Sequence, residues 1–217
     1  MEKTDPKKDY TARTVILANG NFPSHPVPYG VLMEAERVVC CDGAAERAIS
    51  VGIDPVAVVG DGDSLSVELR GRLGSKFIHD ANQDDNDLSK AFNYCRKAGW
   101  KSLAIVGATG LREDHTLGNI SLLSDYVTEC DVVMLTDHGV FTVYLRSATI
   151  ASVSGQQVSI FAFDPMMAIS SRGLKYSLNE MRLSRWWQAT LNEAEGESFR
   201  LEFNGGPVVV YRTWAVR

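Results

Sequence analysis

The sequence predicts an α/β protein in which an N-terminal, Rossmann-like parallel sheet carries helices on both faces and an all-β sandwich domain follows. Two observations predict the parallel sheet: short, continuously apolar runs alternate with helical patterns, and polar loops follow most of these runs. A third observation predicts the sandwich, because helical patterns stop after about Tyr144 while short apolar runs continue. We therefore expect a first domain over residues 1–145 and a second over residues 146–217.

Six short runs are predicted to be the strands of the parallel sheet, because each is apolar and is bounded by turn or loop residues. These runs are residues 14–18, 37–41, 56–59, 76–78, 103–106 and 132–135. Short helices are predicted between the first four, at residues 31–36, 44–50 and 67–73. Alternation of this kind predicts right-handed strand–helix–strand connections.

Two longer helices are predicted after the fourth and fifth strands, because apolar residues recur there at helical spacing. In the first of them Asp87 is expected to be the N-cap. Its apolar stripe consists of Leu88, Ala91, Phe92 and Cys95. The apolar face of the second consists of Leu117, Ile120, Leu123 and Val127.

The segment after Tyr144 has a different sequence pattern. Short apolar runs lie among Ser, Thr and Gln, and Gly and Pro serve as turn residues. Runs such as residues 208–211 are too short and too frequently interrupted for long helices. Such a pattern is typical of a β-sandwich or a small β-barrel.

The charge and the apolar content exclude some classes of protein. A formal net charge of -5 over 217 residues argues against a nucleic-acid-binding protein, which usually carries a basic face. No apolar stretch approaches the roughly 20 residues that span a bilayer, so we expect no membrane association. Residues 1–12 are polar and lack the apolar core of a signal peptide, and we expect them to be flexible.

The four cysteines point to a reducing compartment. None forms a Cys-x-x-Cys pair, so zinc and redox sites are not indicated. Each lies in an apolar pattern, and we therefore expect buried free thiols in a cytoplasmic protein. The cysteines are Cys40, Cys41, Cys95 and Cys130.

Polar residues follow four of the predicted strands. The segments are Asp-Gly at 42–43, Gly-Asp-Gly-Asp-Ser at 60–64, Asn-Gln-Asp-Asp-Asn-Asp at 82–87, and Gly-Ala-Thr-Gly at 107–110 followed by Arg-Glu-Asp-His at 112–115. The carboxyl ends of parallel strands share one rim of the sheet, where ligands bind. Carboxylates crowded together repel one another unless a cation lies among them, and Mg²⁺ prefers such oxygen ligands. Glycines and helix N-termini suit phosphate, as does the guanidinium of Arg112. The rim is therefore predicted to bind a metal ion and a nucleotide.

Taken singly, these segments have ordinary structural explanations. Asp-Gly is common in turns, Asp87 could simply cap a helix, and acidic residues 84–87 could form a solvated loop. Neither a Walker lysine pattern nor Gly-x-Gly-x-x-Gly is present. The prediction depends on the convergence of four loops, and it leaves two alternatives open: a different Mg²⁺-dependent enzyme, such as a phosphate-ester hydrolase, and a binding module without catalysis.

These segments resemble the motifs of the thiamin pyrophosphokinases, in the same order and over essentially the whole chain. The family shows D-G-G-A-N-R, G-D-F-D-S, D-Q-D-x-T-D and G-A-T-G-G-R-x-D-H. The corresponding segments here begin at Asp42, Gly60, Asn82 and Gly107, and Gly-Leu-Lys-Tyr at 173–176 resembles a segment of the family's β domain. Leu191 stands where the family often has serine beside an asparagine that binds thiamin.

The resemblance implies an ATP:thiamin diphosphotransferase that needs Mg²⁺. It implies a homodimer whose thiamin site lies near the subunit interface, with the second domain binding thiamin and forming the dimer. The residues implied to be catalytic and metal-binding are Asp61, Asp63 and Asp87. The residues implied to bind ATP are Asp42, Gly107, Thr109, Arg112 and Asp114. The residues implied to bind the substrate are Gln83, as a contact of thiamin or of phosphate, and Asn192, as a contact of thiamin.

Overall fold

The computed structural model describes Tyr10 and residues 12–216, and the chain divides into two compact units between Asp137 and His138. This division lies eight residues before the predicted one. The reason is that the strand Gly139–Tyr144 pairs antiparallel with Val208–Val216 and so belongs to the β unit. The predicted flexible start, residues 1–12, lies outside the described residues except for Tyr10 and Ala12.

The described part of the first unit contains a six-stranded parallel sheet. Its strands are β1 (Thr14–Leu17), β2 (Arg37–Cys41), β3 (Ala57–Gly60), β4 (Phe77–His79), β5 (Ser102–Val106) and β6 (Asp131–Leu135). Their order across the sheet is β6-β5-β1-β2-β3-β4, and every neighbouring pair is parallel. β1, β2, β3 and β5 are nearly continuously buried, as expected for a parallel sheet that is covered on both faces, whereas β4 at the edge is partly exposed.

The helices of this unit are α1 (Pro26–Met33), α2 (Ala44–Ser50), α3 (Val67–Leu73), α4 (Asp87–Lys97) and α5 (Glu113–Tyr126). The chain moves from β1 to β4 toward one edge of the sheet and then returns to β5 on the other side of β1. Right-handed crossovers therefore put α1, α2 and α3 on one face and α4 and α5 on the opposite face. The predicted fold class is confirmed for this unit.

Three details of the predicted helices are wrong. The first helix is Pro26–Met33 rather than residues 31–36, because proline is well tolerated in the first turn of a helix and so Pro26 begins it. The N-cap of α4 is Asn86, whose side chain accepts a hydrogen bond from the Ser89 N–H at 2.8 Å. Asp87 is instead the first helical residue, so its carboxylate is not used to cap the helix. In α5, Leu117 is 52% exposed and does not join the core, while Leu123 is fully buried.

The order of the strands creates a crevice between β1 and β5. The chain leaves β1 toward β2 on one side of the sheet, and it leaves β5 toward β6 in the opposite direction. The loops that follow β1 and β5 therefore lead to helices on opposite faces of the sheet. A reversal of this kind is the usual ligand-binding position of an open α/β sheet.

The second unit, within its described residues, consists of two antiparallel sheets. Its strands are β7 (Gly139–Tyr144), β8 (Ala148–Ala151), β9 (Gln156–Ala162), β10 (Ala168–Arg172), β11 (Met181–Arg182), β12 (Asn192–Glu193), β13 (Ser198–Phe203) and β14 (Val208–Val216). The sheet orders are β12-β9-β14-β7 and β11-β10-β13-β8. Ile160 and Val210 of one sheet share a core with Ile169, Phe199 and Leu201 of the other. The predicted sandwich is confirmed.

All four cysteines are buried and free, as predicted. Burial raises the pKa of the Cys40 thiol to about 12, because the charged thiolate is poorly solvated there. Among the helices that the structure describes, none is both long enough and apolar enough to cross a membrane.

Candidate active site

A cavity of about 510 Å³ opens at the carboxyl ends of β1 to β5. Each of these strands, or the loop after it, contributes to the wall. Representative lining residues, in chain order, are Asn19, Cys41, Asp61, Asp87 and Thr109. The position matches the crevice created by the reversal of strand order between β1 and β5.

Half of the ten predicted site residues line this cavity. They are Asp61, Gln83, Asp87, Thr109 and Arg112. Gly107 and Asp42 are buried behind the wall, and Asp63 and Asp114 have exposed side chains outside the lining. Asn192 belongs to the second unit.

Asp61 follows β3 and is held by its own loop. Its Oδ1 accepts a hydrogen bond from the Asp63 N–H at 3.1 Å, and its Oδ2 accepts one from Gln83 Nε2 at 3.4 Å. The bond from the Asp63 N–H is the main reason that the pKa of Asp61 lies below its usual range, and Gln83 and Lys90 act in the same direction. Asp61 is therefore a carboxylate that stays ionised and faces the cavity.

Asp42 is buried beneath the same loop, with 1% of its surface exposed. Its Oδ2 accepts hydrogen bonds from the Gly62 N–H at 3.1 Å and the Ser64 N–H at 3.2 Å. Its Oδ1 is buried and has no hydrogen-bond partner among the described residues. The side chain thus supports the loop that carries Asp61, and a role of Asp42 in nucleotide binding stays a prediction.

Close packing around Asp42 explains a glycine at position 60. A Cβ added to Gly60 would lie 2.6 Å from the Cβ of Asp42, a distance that real structures do not show. Burial raises the pKa of Asp42, and the nearby carboxylates of Asp87 and Asp61 act in the same direction. The negative charge of Asp42 is therefore disfavoured in the folded state.

Asp87 and Lys90 lie in the first turn of α4. The Lys90 ammonium is 3.5 Å from Asp87 Oδ1; the Lys90 side chain is 3% exposed and that of Asp87 is 44% exposed. Lys90 was not among the residues that the sequence singled out. The Asp-x-x-Lys spacing at the start of a helix could have drawn attention to Lys90. Residues at i and i+3 face each other on a helix, and a lysine in the first turn is unusual because the helix dipole disfavours a cation there.

The loops after β1 and β5 are locked together by their backbones. The Gly20 N–H donates to the Gly107 carbonyl at 2.6 Å, and the Asn21 N–H donates to the Thr109 carbonyl at 2.8 Å. A Cβ on Gly20 would lie 2.4 Å from the Gly107 oxygen, so only glycine permits this approach. Sequence reasoning missed the loop after β1, because its importance depends on β1 being central in the sheet.

Arg112 lies at the mouth of the cavity and pairs with Asp114. Its Nη2 donates to Asp114 Oδ2 at 2.5 Å, and its Nε donates to Asp114 Oδ1 at 3.1 Å. This bidentate pairing is the main reason that the pKa of Asp114 falls to about 2. Both side chains are exposed, so the guanidinium is accessible to an anion that enters the cavity.

The donor set suits a metal ion that is shared with ligand phosphates. Within residues 12–216 and Tyr10, no three His, Cys, Asp or Glu side chains are close enough together to hold a metal ion by themselves. Asp61 and Asp87 nevertheless face one cavity, and the buried Asp42 Oδ1 behind its wall has no hydrogen-bond partner within the described part of the chain. Mg²⁺ commonly binds one or two carboxylates and completes its octahedron with waters and substrate phosphates. The residues therefore fit Mg²⁺ in that form.

Asn192 is buried in the second unit and is occupied by main-chain hydrogen bonds. Its Oδ1 accepts from the Tyr176 N–H at 3.1 Å, and its Nδ2 donates to the Tyr176 carbonyl at 2.7 Å. It therefore fixes the end of the Gly-Leu-Lys-Tyr segment. The neighbouring Leu191 is 69% exposed, with a φ of 58° that is uncommon for a residue other than glycine. A role of Asn192 in substrate binding stays a prediction.

Each of the two units of the chain matches the sequence pattern of a known protein family. Residues 30–135 match the family described as thiamin pyrophosphokinase, catalytic domain, and residues 139–211 match the family described as thiamin pyrophosphokinase, substrate-binding domain. The two matched segments meet at the same place as the two structural units.

Individual proteins are similar as well. Thiamine pyrophosphokinase of Bacillus subtilis (strain 168) is 35% identical over 112 residues, which is 50% of this chain and 52% of that protein. The alignment thus spans about half the length of that relative. Thiamine pyrophosphokinase 1 of Oryza sativa subsp. japonica is 24% identical over 225 residues, covering 88% of this chain and 83% of that protein.

The fold is found in solved structures. The crystal structure of thiamin pyrophosphokinase from Geobacillus thermodenitrificans superimposes with a TM-score of 0.75 at 24% identity. The superposition covers 93% of this chain and 97% of that chain. This likeness extends over both units and establishes their fold.

Proposed function

The chain belongs to the thiamin pyrophosphokinase family of kinase-type transferases, and we propose that it transfers the diphosphate group of ATP to the hydroxyl of thiamin. The products are thiamin diphosphate and AMP. The observation that carries the proposal is the cavity of about 510 Å³ at the reversal of strand order, whose wall combines the carboxylates of Asp61 and Asp87 with the cation of Arg112.

The reaction needs little covalent help from the protein. The thiamin hydroxyl attacks the β-phosphorus of ATP, the bond from that phosphorus to the oxygen shared with the α-phosphorus breaks, and AMP leaves with that oxygen. Phosphoryl and diphosphoryl transfer depend mainly on placement of the groups in line and on neutralisation of charge. A carboxylate of the site accepts the proton of the hydroxyl.

The residues divide this work by their position. Arg112 pairs with Asp114 through Nε and Nη2, so its Nη1 group and its positive charge are what it offers to phosphate oxygens. Thr109 and the backbone after β5 shape the wall on the nucleotide side, and Gly107 and Gly20 hold that wall to the loop after β1. Asp114 orients Arg112, and Asp42 fixes the loop that carries Asp61 and Asp63.

Asp61 and Asp87 are the residues that would hold Mg²⁺, with Asp63 beside them. The ion would supply positive charge to the oxygens of the transferred group. Asp61 suits this role because its lowered pKa keeps it ionised, and Gln83 holds its Oδ2.

The second unit is proposed to bind thiamin and to form a homodimer. Its match to a substrate-binding domain supports the first role. Large exposed apolar side chains support the second, since Trp187 and Leu191 are each 69% exposed and Tyr176 is 63% exposed. A cytoplasmic location is proposed as well, because the four buried cysteines are free.

The test is a product analysis with purified protein, ATP, Mg²⁺ and thiamin. AMP and thiamin diphosphate that appear together, and only with all components present, support the proposal. Phosphate or ADP formed without thiamin would favour the hydrolase alternative. Stabilisation by thiamin with no AMP would favour a binding module. The variant Asp61→Asn is expected to lower turnover by about 100- to 1000-fold. Asp131→Asn, at the exposed start of β6, controls for the loss of one charge.

A further inference from the structure

Lys90 is a buried cation on the wall of the active-site cavity. Its side chain is 3% exposed, although it lines the cavity together with Asp61 and Asp87. Lysine is almost never fully buried without an anionic partner. Lys97, at the other end of α4, shows the ordinary case, because it is exposed to solvent.

The ion pair of Lys90 within the protein is long. Asp87 Oδ1 is 3.5 Å from Nζ, whereas charge-assisted hydrogen bonds are about 2.7–2.9 Å long. The Asp87 carboxylate is itself 44% exposed and so is shared with solvent. An ammonium group has three donors, and this contact leaves it with capacity for a further acceptor.

The position is also unfavourable for a purely structural lysine. Lys90 lies in the first turn of α4, where the positive end of the helix dipole disfavours a cation. Replacing a buried ion pair with apolar residues is often neutral or stabilising, so burial alone gives no reason for a lysine here. The reason has to be sought in the cavity, where a ligand would supply the missing anion.

We propose that Lys90 binds a phosphate oxygen of the polyphosphate chain that enters this cavity. This inference rests on the proposed function and adds a residue to it: Lys90 is the inner cation and Arg112 the outer one, since the first is buried and the second exposed. A polyphosphate carries several negative charges, and the two carboxylates that face it would repel it without cations between them. Lysine serves phosphate as a compact point charge.

The experiment measures binding of inorganic tripolyphosphate with Mg²⁺ by titration calorimetry, which requires neither thiamin nor turnover. Loss of a hydrogen bond to a charged group predicts about 10- to 100-fold weaker binding in Lys90→Met. The matched control Lys97→Met, on the same helix, is expected to stay within about twofold of the wild type. Tripolyphosphate binding in Lys90→Met that equals the wild type would overturn the proposal.

A comparison of nucleotides separates binding from general distortion. Lys90→Met should weaken ATP binding and leave adenosine binding unchanged, because adenosine has no phosphate. Equal weakening of both would show that Lys90 only supports the structure and would overturn the proposal. If the variant does not fold, the wild type labelled with ¹⁵N at lysine Nζ gives the answer. Tripolyphosphate is expected to shift the Lys90 signal and not that of Lys97, and an unmoved Lys90 signal overturns the proposal.

The outcomes also separate this inference from the proposed function. A wild type that binds tripolyphosphate through Lys90 and forms no thiamin diphosphate would contradict the function alone. A wild type that forms thiamin diphosphate while Lys90→Met binds tripolyphosphate normally would contradict only the role of Lys90.

Discussion

Removal of the Asp42 side chain should destabilise the protein and disturb the loop that carries Asp61. Asp42→Ala deletes the acceptor of two backbone hydrogen bonds, from Gly62 and Ser64. Hydrogen bonds to charged groups contribute about 1.5–3 kcal/mol each. The same change removes a buried oxygen that has no partner among the residues the structure describes, and the desolvation of that oxygen costs about 1–3 kcal/mol. The expected net loss of stability is about 2 kcal/mol, obtained by subtracting the second effect from the first.

Asp42→Asn should behave differently, because the amide oxygen still accepts hydrogen bonds and the charge is gone. The pKa of Asp42 is raised above its ordinary value of 3.8 in the folded protein, so the folded state holds this proton more tightly than the unfolded state does. The contribution of Asp42 to stability is thus fully present below pH 3.8 and is lost as the pH rises through the raised pKa. The asparagine variant escapes that loss, and its stability relative to the wild type should increase over this window.

Urea unfolding of wild type, Asp42→Ala, Asp42→Asn and the exposed control Asp131→Asn, at a series of pH values from 4 to 7, measures these effects. Thiamin diphosphate formation, measured in parallel, should fall in Asp42→Ala and persist in Asp42→Asn. The reasoning is refuted if Asp42→Ala is as stable as the wild type, or if Asp42→Asn loses stability relative to the wild type as the pH rises.

Three further predictions concern the site and the core. Asp61→Asn should lower kcat by about 100- to 1000-fold with an unchanged circular dichroism spectrum, because a charge-stabilising group is lost; activity near wild type would remove Asp61 from the site. Arg112→Ala should raise the pKa of Asp114 from about 2 toward 3.8, and a carboxyl NMR titration that shows no rise would contradict the pairing. Phe199→Ala should lower the free energy of unfolding by about 3–5 kcal/mol, as measured in urea, because Phe199 is fully buried in the sandwich core; a loss below about 1 kcal/mol would mean that the core tolerates the cavity.

The sequence predicted the regular elements better than the details of the site. All six parallel strands lie within one residue of the predicted bounds at each end, because continuous apolar runs between turn residues leave few alternatives. The choice of Asn86 over Asp87 as N-cap could not be made from the sequence, since both residue types cap helices well. The exposure of Leu117 depends on what packs against α5, which periodicity does not reveal.

The sequence located residues of the cavity lining where they directly follow strands, and it missed lining residues whose position depends on tertiary structure. Asp61 and Thr109 line the cavity because strand ends meet at one rim. The loop after β1 was missed because only the order of the strands makes β1 central. Lys90 was missed because a lysine within a helical pattern ordinarily reaches solvent, and its burial is a property of the packed structure.

The central claim is that an intact diphosphate passes from ATP to thiamin. The most direct test uses ATP labelled with ³²P in its γ-phosphate and measures which product contains the label. With thiamin and Mg²⁺ present, transfer of an intact diphosphate predicts that the label appears in thiamin diphosphate, at its terminal phosphate, in amounts equal to the AMP released. Label that appears instead in inorganic phosphate, or in thiamin monophosphate accompanied by ADP, would contradict the account.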